Sequence, residues 1–159
     1  LINAYVPFAN FSIEGAVDGR KQWDTEFRLF TRYLSQRKPV VVCGDLNVVH
    51  TIRDSCEIRL EQNRPNFTGW ERENFNLLMA DCSLADAFRI FHPEEQAATF
   101  YGAYRQAEIG NRLDYFLVSR SLLPLLSSSE ILTDFGSGQS VPILLDLDPV
   151  SLCQSELLP

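Results

Sequence analysis

Residues 40–47 read Val40-Val41-Val42-Cys43-Gly44-Asp45-Leu46-Asn47, and this stretch decides how the rest of the chain is read. Three valines and a cysteine without a polar residue between them suit a strand covered on both faces. Pro39, just upstream, closes whatever element comes before. Gly44 is expected to turn the chain, so that a carboxylate (Asp45) and an amide (Asn47) emerge two residues apart at the strand end, where α/β folds place their chemistry. An ionised Asp can accept a proton from a water or orient it, and a nearby Asn can donate to and accept from that same water. The alternative is an Asx turn that serves only the local backbone; on spacing alone the turn is the better supported of the two.

Upstream, residues 1–6 form a short apolar run stopped by Pro7, a buried strand with the Tyr5 phenol at its end. A tyrosine at the edge of a core is the plain reading of that phenol. Residues 8–19 lack a clean period and read as a loop. From 20 to 37 the pattern is helical, with Trp23, Phe27, Phe30 and Leu34 on one apolar face. Gln36-Arg37-Lys38 puts cations at the helix end, where its dipole favours them.

Downstream, residues 48–67 read as a polar loop, and Thr68-x-x-Glu71 is a capping box opening a second helix with Phe75, Leu78 and Met79 inward. Thr99-Phe100-Tyr101 is a short strand or turn. Residues 112–118 alternate, with Leu113, Tyr115 and Leu117 on one face and Asp114, Phe116 and Val118 on the other. A charge set into such a strand is expensive unless paired; an edge strand with one solvated face reads equally well. Residues 121–126 are a short apolar helix or turn, 142–147 a last strand, and 149–159 a loose tail. Strands mixed with helices indicate an α/β or α+β layered domain over residues 1–148.

The chain has 159 residues, 45% of them hydrophobic and 11% aromatic, enough for one sizeable core. No apolar run approaches the ~18 residues of a membrane span. The net charge of −7 argues against a nucleic-acid coat protein, but a local patch can still serve a DNA enzyme. The four cysteines, Cys43, Cys56, Cys82 and Cys153, form no CxxC pair, so zinc is not expected. Without a secretory signal they read as reduced, intracellular thiols. Residue 1 is Leu and the first residues are already strand-like, so the chain is expected to begin inside a fold.

Several segments together carry a resemblance. They are Tyr5-Val6-Pro7; Trp23-Asp24 with Phe27; Val42-Cys43-Gly44-Asp45-Leu46-Asn47-Val48; Phe67-Thr68 with Glu71-Arg72; Leu84-Ala85-Asp86-Ala87-Phe88-Arg89; Thr99-Phe100; Arg112-Leu113-Asp114-Tyr115-Phe116-Leu117-Val118-Ser119; and Ser121-Leu122-Leu123. Their order and spacing resemble the C-terminal half of the exonuclease III class of abasic-site DNA endonucleases, nearer the eukaryotic major enzyme than the bacterial type.

The resemblance implies part of a four-layer α/β sandwich, here one mixed, mostly antiparallel sheet with flanking helices. It implies that Asp45 takes a proton from, or orients, the attacking water, that Asn47 helps position that water and the phosphate, that Tyr5 donates to the phosphate, and that Asp114 orients a histidine at the scissile phosphate. It places Phe100, Leu113 and Arg112 at the substrate, with Phe100 and Leu113 against the flipped-out abasic sugar. It implies Mg²⁺ as cofactor, duplex DNA with an abasic site as partner, an N-terminal half supplied in cis or in trans, no membrane, and, in a eukaryote, the nucleus.

Three departures from the family pattern stand against activity of this chain. The residues here are expected to lack the family's N-terminal half, with an Asn and a Glu of the metal site. Phe8 follows Tyr-Val-Pro where the family has Asn. The family's Gly-Ser-Asp-His is here Gly136-Ser137-Gly138-Gln139-Ser140 before Val141-Pro142-Ile143, so that, counting back from Pro142, Gln139 replaces the Asp and Ser140 the His. Counting forward from Gly136 loses the same pair. His50 reads as a loop or capping residue and His92 as a surface turn, so neither replaces the lost imidazole, and metal ligands are expected to be largely absent. A repair hydrolase is expected from the family; a catalytically dead scaffold is the alternative, and another phosphodiesterase of this fold, such as a retroelement endonuclease, fits the motifs less well.

Overall fold

The computed structural model describes residues 1–56, 64–102, 110–135 and 138–148. Its centre is a mixed four-stranded sheet in the order β1-β2-β6-β3. The strands are β1 (Ile2–Tyr5), β2 (Val41–Asp45), β3 (Leu84–Asp86) and β6 (Asp114–Ser119). β1 runs parallel to β2, and β6 is antiparallel to both β2 and β3. A small pair, β4 (Phe100–Tyr101) with β5 (Gly110–Asn111), and a hairpin, β7 (Leu126–Ile131) with β8 (Ile143–Leu147), complete the strands. The helices are α1 (Ala16–Ser35), α2 (Gly69–Asp81) and the short α3 (Ala87–Phe91). A mixed sheet with flanking helices is the expected architecture. No helix among the described residues is long and apolar enough to cross a membrane. The tail expected from residue 149 lies outside the described residues.

Strand alternation sorts the central sheet into two faces. Val42, Tyr115 and Leu117 are buried beneath α1 and α2, in one cluster with Phe75, Leu78, Trp23, Phe27 and Leu34. The opposite face carries Cys43, Phe116 and the polar ends of the strands, with β8 resting near β6. Helix α2 starts as its sequence dictates: Thr68 Oγ1 accepts from the Glu71 backbone N–H, while the Glu71 carboxylate accepts from the Thr68 N–H at 3.0 Å.

Three local expectations need correction. Helix α1 begins at Ala16, inside the expected loop, because Gly15 takes the left-handed conformation (φ 77°) at its N-cap. Phe30 is not on the buried stripe; it is 53% exposed, and Thr31 is fully buried in its place. The stripe runs Arg20, Trp23, Asp24, Phe27, Thr31, Leu34, which keeps helical spacing but includes polar members that a search for apolar residues skips. Gly44 does not turn the chain: it lies inside β2 with φ 116°, and a Cβ there would sit 2.1 Å from the Ala4 carbonyl oxygen of β1. Only glycine permits that approach.

Beside the apolar core lies a buried ionic one. Arg112 is 1% exposed. Its Nε donates to Asp54 Oδ1 at 2.7 Å, and its two terminal nitrogens donate to the two oxygens of Asp86. Arg89 also pairs with Asp54, so two cations meet two carboxylates. Burial pushes the Asp54 carboxyl up, but the Arg112 charge and hydrogen bond, with help from Arg89, outweigh it and hold the group below the usual carboxylate range.

Replacing Arg112 by Met should leave two buried carboxylates short of a partner and destabilise the fold by about 3–5 kcal/mol, read as a lower denaturation midpoint. Because the folded Asp54 titrates below its unfolded value, its stabilising contribution is complete near neutrality and fades as pH falls below about 4. By contrast, Thr31→Val should stabilise by about 1 kcal/mol, since the buried Thr31 hydroxyl has no hydrogen-bond partner. A variant no more stable than the parent in urea denaturation would contradict this.

Candidate active site

Strand register brings the three acidic or phenolic candidates into one row. Tyr5 of β1 stands opposite Asp45 of β2, and Asp45 stands opposite Asp114 of β6. Laterally paired residues share a face, so the row spans two strand spacings, about 10 Å. Tyr5 is 70% exposed. The row closes the end of the sheet where β1 and β2 finish and β6 begins.

Asp45 is half-buried, and its Oδ1 accepts the Asn47 backbone N–H at 2.8 Å. The Asx turn and the candidate site are therefore the same structure: the turn fixes one carboxylate oxygen, and no hydrogen bond among the described residues engages the other. Burial raises the Asp45 pKa to about 6, against the lowering hydrogen bond from Asn47; the Asp114 charge adds to the rise and Arg20 offsets part of it. Asp114 is likewise raised by burial and lowered by its hydrogen bond from Thr99.

Asn47 is 5% exposed and sits at φ 46°, a left-handed position that Asn tolerates. Its side-chain nitrogen donates to the Val6 carbonyl at 2.8 Å, which ties the β1 exit to the β2 exit and leaves the amide oxygen for a water.

Two positioning residues carried no chemical signal in the sequence. Thr99, fully buried, accepts through Oγ1 from the N–H groups of Leu113 and Asp114, both at 3.0 Å, and donates to Asp114 Oδ2 at 2.6 Å. Arg20, 2% exposed, donates to the carbonyls of Pro7, Leu46 and Asn47, with Nε on Asp24 at 2.8 Å. The one available clue for Arg20 was its i, i+4 spacing to Asp24 on the helix stripe.

The remaining candidates divide. Leu113 is buried in a small cluster with Val49 and Phe67, against which the half-buried Phe100 packs, so Phe100 offers the ring and Leu113 backs it. Arg112, expected at the substrate, is instead enclosed, with its nitrogens taken by Asp54 and Asp86. Gln139 and Ser140 are exposed beside the Thr99 segment: Tyr101 N–H donates to the Gln139 carbonyl and Val141 N–H to the Thr99 carbonyl. His50 packs against Phe75 and meets Asn76 at 2.8 Å. His92 lies between Glu95 and Glu130, stacked on Phe88. Among the described residues no three His, Cys, Asp or Glu side chains gather as a metal-binding group.

A sequence-family model described as the endonuclease/exonuclease/phosphatase family matches residues 5–137. The chain is 38% identical to the DNA repair nuclease APEX1 of Danio rerio over 151 residues, 92% of this chain and 48% of that protein. It is 32% identical to an exodeoxyribonuclease of Bacillus subtilis over 149 residues, 91% of this chain and 58% of that one. The chain spans about half the length of these curated relatives. Among solved structures, a 3′ phosphatase from Neisseria bound to product DNA hairpin superposes with TM-score 0.83 at 23% identity, over 92% of this chain and 60% of that one. An AP endonuclease from Leishmania major gives TM-score 0.79 at 20% identity, over 91% and 48%. These two likenesses establish the fold.

The raised Asp45 pKa has a consequence for stability. A carboxyl titrating higher in the folded state than in the unfolded one favours folding in its protonated form, so its contribution is complete below about pH 4 and is lost as pH rises through about 6. Asp45→Asn keeps an oxygen for the Asn47 N–H and removes the charge. It should raise the melting temperature at pH 7.5 and leave it nearly unchanged at pH 4. A variant that melts lower than the parent at pH 7.5 would show that the ionised carboxylate is stabilising.

Proposed function

The chain belongs to the endonuclease/exonuclease/phosphatase family, and we propose that its function is that of a DNA-repair phosphodiesterase, acting on the DNA backbone at abasic sites. The observation that carries the reading is the Tyr5–Asp45–Asp114 row at one end of the sheet. The names of the relatives, a DNA repair nuclease and an exodeoxyribonuclease among them, support DNA as the substrate. A nuclear setting, where a eukaryotic repair enzyme meets its substrate, belongs to the same proposal.

The chemistry follows from the side chains. With a pKa of about 6, Asp45 is largely ionised at neutral pH and still basic enough to take a proton from water. A water held by its open oxygen and the Asn47 amide oxygen attacks phosphorus, a new P–O bond forms, and the bond to the leaving sugar oxygen breaks. The exposed Tyr5 phenol donates to a phosphate oxygen. Phe100, backed by Leu113, offers an apolar wall to an extruded abasic sugar. Magnesium is the cofactor this reading calls for, to neutralise charge on the phosphate and leaving oxygen. The described residues do not form a complete site for it.

The weak point of the site is Gln139 and Ser140. Both are neutral, and neither supplies the carboxylate and imidazole that the family pattern has there. A scaffold without chemistry is the reading they favour. A nicking assay on a duplex with one abasic analogue decides, run in Mg²⁺ with the chain alone and with the N-terminal part of a relative supplied in trans. Trace cleavage is expected, rising with pH through about 6 as Asp45 ionises and abolished by Asp45→Asn. Gln139→Asp with Ser140→His should raise the rate about a hundredfold or more. Cleavage that survives Asp45→Asn would move the site elsewhere. No gain from the double replacement would favour the scaffold.

A further inference from the structure

At the end of the sheet away from the carboxylate row, the chain forms a cleft of about 250 Å³ where the end of α1, the approach to β2 and the exit of β6 meet. Asp114 and Ser119 bound β6, so the cleft lies about 17 Å along the strand from the row. We propose that this cleft is a binding site for a phosphoryl anion, distinct from the row and independent of its chemistry.

Charge is the first argument. The chain carries a net charge of −7, and Arg20, Arg28, Arg53, Arg89 and Arg112 are each paired with a carboxylate. Arg37, Lys38 and Arg120 line the cleft, and among the described residues none of the three is in a salt bridge. Asp81, next to the cleft residue Cys82, is engaged by Arg28 at 3.2 Å. Three cations without a carboxylate partner among the described residues, gathered on one cleft of an acidic protein, leave a local excess of positive charge that an anion offsets.

Helix-end electrostatics accounts for part of this and not the rest. Arg37 and Lys38 follow the C-terminus of α1, where cations are favoured. Arg120 arrives from the far side, at the end of β6. The Arg37 guanidinium is held over the Tyr33 ring at 3.4 Å and donates to the Tyr33 carbonyl, which fixes one cation in place.

The hydroxyls are the second argument. Ser83 and Ser121 line the same cleft, beside Ser35, whose hydroxyl donates to the Arg32 carbonyl at 3.0 Å. Hydroxyl donors interleaved with point charges suit a tetrahedral oxyanion with acceptors in several directions. The one thiol on the wall, Cys82, is pushed up to about 11 by burial and by Asp81, so the cleft offers binding without a nucleophile. Its size takes a phosphate with its waters or a sugar phosphate. The phosphoryl group can come from a free mononucleotide or from a nucleic-acid backbone.

The test is calorimetric titration of the purified chain in chelator, so that no metal at the row captures phosphate. Inorganic phosphate, a nucleoside 5′-monophosphate and a short single-stranded oligonucleotide are compared at matched ionic strength against chloride. Saturable binding of phosphate at one site is expected, unchanged by Asp45→Asn and weakened about tenfold by Lys38→Gln with Arg120→Gln. Ser121→Glu should abolish it with an unchanged circular dichroism spectrum, and decides the matter should the double variant fold poorly. An oligonucleotide that binds more tightly per phosphate than the mononucleotide assigns the source to a nucleic-acid backbone; equal binding assigns it to a free monoester. Phosphate that binds no better than chloride, or equally well to the neutralised variants, overturns the proposal.

Discussion

The fold depends on one guanidinium. Arg112 reaches Asp54 and Asp86, which lie 58 and 26 residues away in sequence, and its backbone N–H also donates to the Asp54 carbonyl at 2.8 Å. Three segments distant in sequence are thereby joined: the turn at Asp54, the β3–α3 junction and the entry to β6. The groups are excluded from water, so a broken pair would leave a buried charge rather than a solvated one. Two cations against two carboxylates is the neutral arrangement that makes such burial tolerable. Tyr115 completes it, with its ring 4.3 Å from the guanidinium and its hydroxyl donating to the Val48 carbonyl.

The candidate site inherits its geometry from this joint. Arg112 fixes where β6 begins, and with it the register that sets Asp114 opposite Asp45. Thr99 takes up the next two N–H groups along β6 and one Asp114 oxygen. On the other flank Arg20 gathers three carbonyls from the exits of β1 and β2. Both clamps are buried and hydrogen-bonded to backbone, so the row is held by groups that never need to meet a substrate. Preorganisation of this kind places a base within reach of a water without ordering it anew at each encounter.

Much of this was legible in the sequence. The capping box at Thr68 and the alternation over Leu113–Leu117 each obey a single local rule and appear where that rule puts them, while the valine run forms a strand that is buried on one face and only half-buried on the other. Asp45 and Asp114 stand out because a carboxylate at a strand end is conspicuous. What stayed hidden depends on long-range partners. An arginine beside a candidate acid reads as a substrate contact, and nothing local says that Arg112 faces inward to Asp54 and Asp86. Thr99 looked like an ordinary strand residue because its role lies in three hydrogen bonds to residues 14 and 15 positions away. Thr31, not Phe30, holds the buried position on α1, because helix geometry and not side-chain hydrophobicity sets the stripe. Gly44 was read by the commonest use of glycine, a turn, while its actual use is close approach of a neighbouring strand.

The electrostatics of the row explain why its neighbours matter more than its own members. Asp45 and Asp114 are half-buried carboxylates that face each other across a strand pair, and both are held above the usual range by burial. Such a pair resists carrying two negative charges unless a cation or a donor stands beside it. Arg20 partly relieves Asp45, and Thr99 partly relieves Asp114. The segment through Gln139 and Ser140 runs alongside Thr99, so a residue there is well placed to act on Asp114. A cationic side chain on that segment would lower the Asp114 pKa and let both carboxylates ionise together. A neutral amide and a hydroxyl leave the pair sharing its charge reluctantly, whatever else completes the site. The scaffold and the charge state of the row therefore have separate origins: the first rests on Arg112 and Arg20, deep in the fold, and the second on what stands beside Asp45 and Asp114.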